Sequence, residues 1–124
     1  MADLIKLSEA DFLRRIIDQA HAQGWIVAHF RSARVLKDGE ETWRTPVQAD
    51  GAGFPDLVLV RGPRLLFVEL KSAEGVVSPE QQVWLKALAA TKVEVYVFRP
   101  GGPEEEIDAL LARETNDVAQ VVLL

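Results

Sequence analysis

Three residues near the middle of the chain carry side chains that together could bind a metal ion and hydrolyse a phosphodiester. Asp56 precedes the apolar run Leu-Val-Leu-Val, and Glu69 and Lys71 close a second apolar run. Carboxylates suit hard divalent cations, and Mg²⁺ typically binds one or two of them together with phosphate oxygens and water. A lysine next to such an ion can position the attacking water or stabilise negative charge. Asp56, Glu69 and Lys71 are therefore the first candidate catalytic residues.

The two apolar runs predict a β-hairpin that brings the carboxylates together. Gly62-Pro63 separates them and is a typical turn pair. If the loop consists of these two residues, Arg61 pairs with Arg64, and the same register places Asp56 directly opposite Glu69. The argument depends on the loop length, because a longer loop would shift that register.

The charges at the open end of this hairpin have two explanations. Glu69 and Lys71 lie on one face of their strand because side chains alternate with a period of two, and they could form a solvent-exposed ion pair of about 0–1 kcal/mol. Asp56 opposite Glu69 favours a functional explanation, since like charges placed across a strand pair repel. A cation between them removes that repulsion.

Two predicted helices flank the hairpin. Ser8 is a typical N-cap and Gly24 a typical helix end, which predicts a helix over about 9–23 that starts with Glu9. Glu9 lies one turn before Leu13, on the side of the apolar stripe, although it could simply complement the helix dipole. The run Ser-Pro-Glu-Gln at 78–81 predicts the start of a helix that ends near residue 90.

Gln81 is a further candidate at the start of this second helix. It shares a face with Trp84, Leu85 and Leu88, so it leads the buried side. Its alternative role is the reciprocal half of a capping box with Ser78. The two roles are compatible.

Strands are predicted over 25–30 and 93–98, and a last helix is predicted from Pro103 or Glu104. A parallel pairing of 93–98 with the hairpin, through the helix that starts at 79, gives a βαβ unit. The apolar tail 118–124 fits an edge strand, a helix continuation or an oligomer contact. The predicted fold class is therefore α/β.

The segment 31–52 has little apolar periodicity and is predicted to be an elongated loop or an extra hairpin that turns at Lys37-Asp38-Gly39. Its basic residues and Trp43 could contact nucleic acid, but its acids make it neutral overall, so a solvated loop is an equal alternative. His29, in the preceding strand, could contact phosphate or be a core residue. The candidate DNA contacts are His29, Arg31, Arg34, Lys37, Arg44 and Ser72.

The composition excludes several classes of protein but does not identify one function. The chain has 124 residues, no cysteine and a net charge of −5, which predicts one domain without disulfides or thiolate metal sites. Residues 101–124 carry that negative charge and leave 1–100 neutral, so DNA binding is not excluded. No apolar run is long enough to span a membrane, and no nucleotide-binding glycine motif or zinc spacing is present. We expect a cytoplasmic protein of a bacterial or phage-infected cell.

The chain resembles the VRR-NUC family, in its stand-alone phage and bacterial form, within the PD-(D/E)xK nuclease superfamily. Gly-Phe-Pro-Asp-Leu at 53–57, Glu-Leu-Lys-Ser at 69–72 and Ser-Pro-Glu-Gln at 78–81 followed by Trp84 carry the resemblance, which covers about Ser8 to Pro100. It implies a restriction-endonuclease-like mixed sheet flanked by helices, in the order αβββαβ plus a C-terminal helix. The whole of 1–124 would be one nuclease domain, with 31–52 as an insertion.

The resemblance also implies roles for individual residues. Asp56, Glu69 and the backbone carbonyl of Leu70 would bind Mg²⁺ or Mn²⁺, and Glu9 would complete the metal shell directly or through water. Gln81 would lie beside Lys71 and orient that lysine or a phosphate oxygen.

The function that follows is metal-dependent endonucleolytic cleavage of DNA, either structure-selective, as in resolvases that cut branched or Holliday-junction DNA, or nicking. A homodimer is expected, because one small domain offers a small footprint for branched DNA. The alternatives are a non-catalytic DNA-binding or assembly module that keeps the fold, and an interaction protein whose acidic C-terminus binds a basic partner.

Overall fold

The computed structural model describes residues 8–30, 33–44, 47–102, 104–115 and 121–123. The elements in chain order are α1 (Glu9–Ala22), β1 (Ile26–His29), β2 (Ala33–Lys37), β3 (Glu40–Arg44), β4 (Leu57–Arg61), β5 (Arg64–Leu70), α2 (Pro79–Ala90), β6 (Glu94–Phe98), α3 (Glu104–Ala112) and β7 (Val121–Leu123).

One mixed sheet organises the fold, with strand order β1-β4-β5-β6-β7. The strands β1, β4 and β5 are antiparallel, whereas β5, β6 and β7 are parallel. Parallel neighbours require crossover connections, and α2 and α3 supply them. The predicted α/β class and the order αβββαβ plus a C-terminal helix are confirmed, and the described part of the tail forms the edge strand β7.

Helices cover both faces of the sheet. On one face, α1 and α3 bury Phe12, Ile16, Ile107 and Leu111 against alternate residues of β4, β5 and β6. On the other face, Leu85 of α2 packs against Val95 and Val97. Because side chains alternate along a strand, Asp56, Glu69 and Lys71 lie on the face that α2 covers.

The predicted hairpin register is confirmed. Arg61 pairs with Arg64 and Leu57 with Val68, so Asp56 lies one step further along, opposite Glu69. Gly62 has a φ of +56°, and the proline that follows has a fixed negative φ. This is the pattern of a two-residue type II′ turn, whose twist matches that of the two strands.

A buried ionic network holds the turn end of the hairpin. Arg64 and Glu94 are 1% and 0% exposed, and their side chains are joined by hydrogen bonds of 2.9 and 2.7 Å. Arg64 also donates to the carbonyl oxygen of Leu110, at 2.9 Å. The Tyr96 hydroxyl bonds Glu94 as well. The network joins the C-terminal end of α3 to β5 and β6.

The segment between β1 and β4 forms its own two-stranded antiparallel sheet, β2–β3. Asp38 and Gly39 connect the strands with φ values of +53° and +79°, as in a type I′ turn. Of the two predicted forms of this segment, the structure shows the hairpin, and its turn at Asp38 and Gly39 lies within the predicted Lys37-Asp38-Gly39. Within the described parts of the chain, no helix is long and apolar enough to cross a membrane.

Candidate active site

The carboxyl groups of Asp56 and Glu69 meet at the open end of the β4–β5 hairpin. Asp56 Oδ2 accepts a hydrogen bond of 2.8 Å from the backbone N–H of Leu70, which fixes its orientation. Glu69 is only 2% exposed, and the two carboxyl groups are close enough for a hydrogen bond when one is protonated. The predicted convergence of these two residues is therefore present in the structure.

Burial raises the pKa values of both carboxyl groups. Burial raises the pKa of Glu69 to about 8, and the charge of Asp56 adds to the effect, whereas Lys71 lowers it. Burial also raises the pKa of Asp56, although the hydrogen bond from Leu70 opposes this. Raised pKa values are expected here, because two carboxyl groups in one poorly solvated site cannot both ionise without a compensating positive charge.

Gln81 contacts Glu69 rather than Lys71. Its Nε2 donates a hydrogen bond of 2.9 Å to Glu69 Oε2, and its Oε1 accepts one of 2.8 Å from the backbone N–H of Ser78. Ser78 Oγ accepts from the Gln81 backbone N–H, so the predicted capping box is complete. The capping role of Gln81 is thus confirmed, and its hydrogen-bond partner in the site is the Glu69 carboxylate; the orientation of Lys71 or of a phosphate oxygen by Gln81 stays a prediction.

Lys71 lies beside the same oxygen of Glu69. Its Nζ is 3.8 Å from Glu69 Oε2, and its side chain is 15% exposed. The Lys71 backbone N–H donates to the carbonyl oxygen of Phe98, at 3.0 Å, which extends the β5–β6 pairing past the end of the strand. The ammonium group therefore stands at the entrance of the site, next to a buried carboxylate.

The loop before Asp56 is packed tightly against the N-terminus of α2. Gly53 has a φ of +84°, and a Cβ at this position would lie 2.5 Å from the carbonyl carbon of Glu80 and 2.7 Å from the backbone nitrogen of Gln81. Trp84 Nε1 donates to the carbonyl oxygen of Asp50, at 2.9 Å. The loop thus sets the distance between Gln81 and the carboxylate pair.

An aromatic cluster supports this loop. The Phe54 ring meets those of Phe30, Phe67 and Trp84 edge to face, with centroid distances of 5.4, 6.0 and 5.0 Å. These geometries are favourable for aromatic pairs. The roles of Gly53 and Phe54 were not predicted as such, although both stand in the Gly-Phe-Pro-Asp motif, which was the available signal.

Glu9 and His29 lie near the pair without joining it. Glu9 is exposed at the start of α1, and its charge raises the pKa values of Asp56 and Glu69. The charge of His29 lowers the pKa of Asp56. Within the described ranges, no three histidine, cysteine or acidic side chains are grouped as ligands of one ion. Glu9 thus remains a predicted ligand that the geometry does not bring into the cluster.

Of the other candidate DNA contacts, only Ser72 can be described together with its surroundings. Ser72 is exposed directly after Lys71, and its carbonyl oxygen accepts a 2.9 Å hydrogen bond from Arg99. Arg31 lies outside the described residues. By backbone register, Arg34, Lys37 and Arg44 belong to the β2–β3 hairpin.

The carboxylate oxygens of Asp56 and Glu69 are suitable ligands for a divalent cation. Glu69 Oε1 is buried without a hydrogen-bond partner among the described residues, although a buried carboxylate oxygen normally has one. A cation bound by Asp56 and Glu69 would satisfy this oxygen and remove the repulsion within the pair. Mg²⁺ and Mn²⁺ prefer such oxygen ligands.

A family model described as "VRR-NUC domain" matches residues 8–100 of the chain. No curated protein and no solved structure among those compared matches the chain. The matched range includes α1, the hairpin, α2 and β6, and therefore every residue of the site described above.

Proposed function

The chain belongs to the VRR-NUC family, a nuclease domain of the PD-(D/E)xK type, and we propose that it is a Mg²⁺- or Mn²⁺-dependent endonuclease that hydrolyses phosphodiester bonds in DNA. The observation that carries the proposal is the pairing of half-buried Asp56 with buried Glu69, whose Oε1 has no hydrogen-bond partner among the described residues, next to the Lys71 ammonium. A structural ion pair would leave neither two opposed carboxylates nor an unsatisfied buried oxygen.

Each residue has a distinct role in this proposal. Asp56 and Glu69 would hold the ion, together with the Leu70 carbonyl oxygen. Glu9 would act through water, because it is exposed and lies near the pair but outside the cluster of ligands. A bound divalent ion supplies charge neutralisation at the phosphate and lowers the pKa of water. Lys71 would position the attacking water and stabilise negative charge that develops on the phosphate.

Gln81 is a positioning residue in this scheme, since it acts on Glu69. Its amide donates to Glu69 Oε2, which leaves Oε1 as the oxygen available to the ion. Such partners of metal ligands typically change metal affinity or activity about 10- to 100-fold when they are removed.

A cleavage assay tests the proposed activity. Duplex, flap and four-way-junction DNA are incubated with Mg²⁺ or Mn²⁺, and the wild type is compared with Glu69→Gln and Lys71→Ala. The matched controls are Glu80→Gln and Lys86→Ala, because both residues are exposed on α2. Loss of cleavage in the first pair and not in the second supports the site. Cleavage that survives both site substitutions rejects it.

A non-catalytic DNA-binding module is the second candidate. It is favoured by one observation, that only two carboxylates converge within the described residues. Binding of DNA by wild type without cleavage of any substrate, with either metal, would select it. The endonuclease proposal also includes a preference for branched DNA and a homodimeric state. Light scattering of the purified protein tests the dimer.

A further inference from the structure

Arg99 lies beside Lys71 at the carboxyl ends of two parallel strands. The register of β5 and β6 pairs Leu70 with Phe98, and the Lys71 backbone N–H donates to the Phe98 carbonyl oxygen, at 3.0 Å. Arg99 therefore follows β6 at the level at which Lys71 follows β5. The two side chains thus start from adjacent positions beside the candidate site.

Arg99 holds the turn that follows Lys71. Its Nη1 donates to the carbonyl oxygens of Ser72 and Gly75, at 2.9 and 2.5 Å. The Gly75 backbone N–H donates to the same Ser72 oxygen, at 3.2 Å, and a carbonyl oxygen can accept both bonds. Hydrogen bonds from a guanidinium group are about twice as strong as those between neutral groups. The turn at 72–75 is thus closed on itself and fixed to the end of β6 by the Arg99 side chain.

The same turn is packed against the stem of Lys71. A Cβ at Gly75 would lie 2.8 Å from Ser72 Oγ, 3.3 Å from the Ser72 backbone nitrogen and 3.5 Å from Lys71 Cδ. Because the first two distances are shorter than ordinary van der Waals contacts, the turn leaves no room for a side chain at residue 75. The Gly75 backbone is therefore close to the lysine stem, and a shift of the turn would change the space in which that stem lies.

Lys71 needs such support because its side chain is long and flexible. Fixing a lysine side chain costs about 1.5–2 kcal/mol of rotamer entropy, and lysines normally keep the ammonium group in water. The Lys71 side chain is nevertheless only 15% exposed, with its Nζ 3.8 Å from Glu69 Oε2. Packing around the stem is what holds a group of this kind in a productive position.

We infer that Arg99 is a positioning residue for Lys71, because it fixes the 72–75 turn and the turn holds the lysine stem so that the ammonium group stays next to Glu69. The inference rests on the proposed function, since it deepens the role of Lys71 in the same site. Arg99 acts here through backbone carbonyl groups and not through the carboxylates.

Cleavage at saturating DNA and metal tests the effect on the reaction. Arg99→Met keeps an unbranched stem without donors and should lower the maximal rate about 10- to 100-fold, as expected when a reacting group is misplaced by about 1 Å. The DNA and metal concentrations that give half the maximal rate should change little. Arg99→Lys should recover part of the rate, because both bonds come from one nitrogen and an ammonium group can also donate more than one bond. Arg14→Met, at an exposed position of α1, is the matched control and should cleave like wild type.

Gly75→Ala tests the turn without removing a charge. The added Cβ would press on Ser72 and approach the lysine stem, so the maximal rate should fall although Arg99 is intact. Gly102→Ala is the matched control. Neither glycine has a φ in the left-handed region, but no heavy atom lies within 4 Å of a Cβ added at Gly102. The control variant should therefore cleave like wild type.

NMR spectroscopy of the metal-free protein tests the positioning without relying on cleavage. In Arg99→Met, the Gly75 amide should exchange its hydrogen faster, whereas amides within α2 should exchange as in wild type. Relaxation at the Lys71 Cε should show that this side chain becomes as mobile as that of Lys86, which is exposed on α2. Thermal unfolding shows that each variant is folded.

Three results would overturn the inference. The first is an Arg99→Met protein that cleaves at the wild-type rate, and the second is a slower Arg99→Met protein in which the mobility of Lys71 is unchanged. The third is an unchanged maximal rate with a higher DNA concentration for half of it, which would make Arg99 a phosphate contact. If the wild type cleaves DNA while one of these occurs, the proposed nuclease stands and the role of Arg99 falls. If no DNA is cleaved but the NMR changes appear, the support of Lys71 by Arg99 stands and the catalytic assignment falls.

Discussion

Gln81 donates a hydrogen bond of 2.9 Å to Glu69 Oε2, and the orientation of its amide is determined by the helix cap. Its Oε1 accepts from the backbone N–H of Ser78, and a backbone N–H can only donate. The Nε2 group must therefore point toward Glu69. The capping box at the start of α2 thus also directs a hydrogen-bond donor toward Glu69, the candidate metal ligand.

The substitution Gln81→Glu should keep the helix cap and damage the site. A carboxylate still accepts the Ser78 N–H, but its second oxygen would face Glu69 and repel it. We expect cleavage to fall about 10- to 100-fold, as for other partners of metal ligands, with a higher metal concentration needed for half-maximal rate. Gln82→Glu places the same charge one residue along, on an exposed position, and should cleave like wild type. Equal rates for the two variants would contradict the positioning role.

The metal-free protein should lose stability as the pH rises. The pKa of Glu69 is raised to about 8 in the folded state, chiefly by burial and by the charge of Asp56, and its ordinary value is 4.5. A raised pKa of an acid means that the folded protein holds more protons between these values, so the stabilisation is complete below pH 4.5 and disappears as the pH passes 8. Thermal unfolding in EDTA from pH 6 to about 9 measures this dependence. Glu69→Gln should flatten it, and an unchanged slope would assign it to other groups.

Divalent cations should stabilise the wild type in proportion to their occupancy of the site. At a metal concentration about 100 times its Kd, the gain is about 2.7 kcal/mol. The gain should be larger at pH 8 than at pH 6, because a cation need not displace a proton from the pair at high pH. Asp56→Asn should abolish most of the gain, whereas Glu80→Gln, on the exposed start of α2, should keep it. A thermal shift with Mn²⁺ that is the same in all three proteins would indicate binding elsewhere.

Gly53→Ala should damage the site through the backbone. The new Cβ would lie 2.5 Å from the carbonyl carbon of Glu80, at a φ of +84°, so α2 must move away from the Asp56 loop. Gly101→Ala is the matched control, since Gly101 has a φ of +87° but no heavy atom within 4 Å of the added Cβ. Both variants should lose roughly 1–2 kcal/mol from the left-handed backbone, but only Gly53→Ala should lose cleavage and further stability. Equal stability and activity of the two variants would contradict the close packing of Gly53 against α2.

Arg64→Met should destabilise the fold without changing the chemistry. It would remove the two Arg64 hydrogen bonds to the fully buried Glu94 side chain, and breaking one partner of a buried pair typically costs about 3–5 kcal/mol. Urea unfolding measures the loss, while cleavage per folded molecule should be unchanged because Arg64 is at the turn end of β5. The double variant Arg64→Met with Glu94→Gln should lose less than Arg64→Met alone. A larger loss in the double variant would show that Glu94 stabilises the fold through its other partners.

The core of the site was predictable because short-range chemistry determines it. The turn at Gly62-Pro63 fixes the register, and the register places Asp56 opposite Glu69. The cap at Ser78 likewise predicts the start of α2. In both cases the decisive interaction lies within a few residues along the chain, where local geometry leaves few alternatives.

The interactions that were not predicted are those between distant segments. The Arg64–Glu94 ion pair joins residues 30 positions apart, and a charge at the start of a strand is typical of solvent exposure. The resemblance places Gln81 beside Lys71, where it would orient that lysine or a phosphate oxygen, whereas its hydrogen bond is to Glu69, because a helix start near the site does not specify which atom it faces. The position of Glu9 relative to the cluster depends on the packing of α1 across the sheet, which no local pattern determines.

The Gly62-Pro63 turn and the β2–β3 hairpin differ in the changes of length that the chain can accept. One residue added at the turn would rotate every following side chain of β5 to the opposite face and would remove Glu69 from Asp56. Residues added to the β2–β3 hairpin would leave that register intact, because its strands belong to a separate sheet. A change of length between β1 and β4 can therefore leave the Asp56–Glu69 pair in place, whereas a change of length at the Gly62-Pro63 turn would separate the two residues.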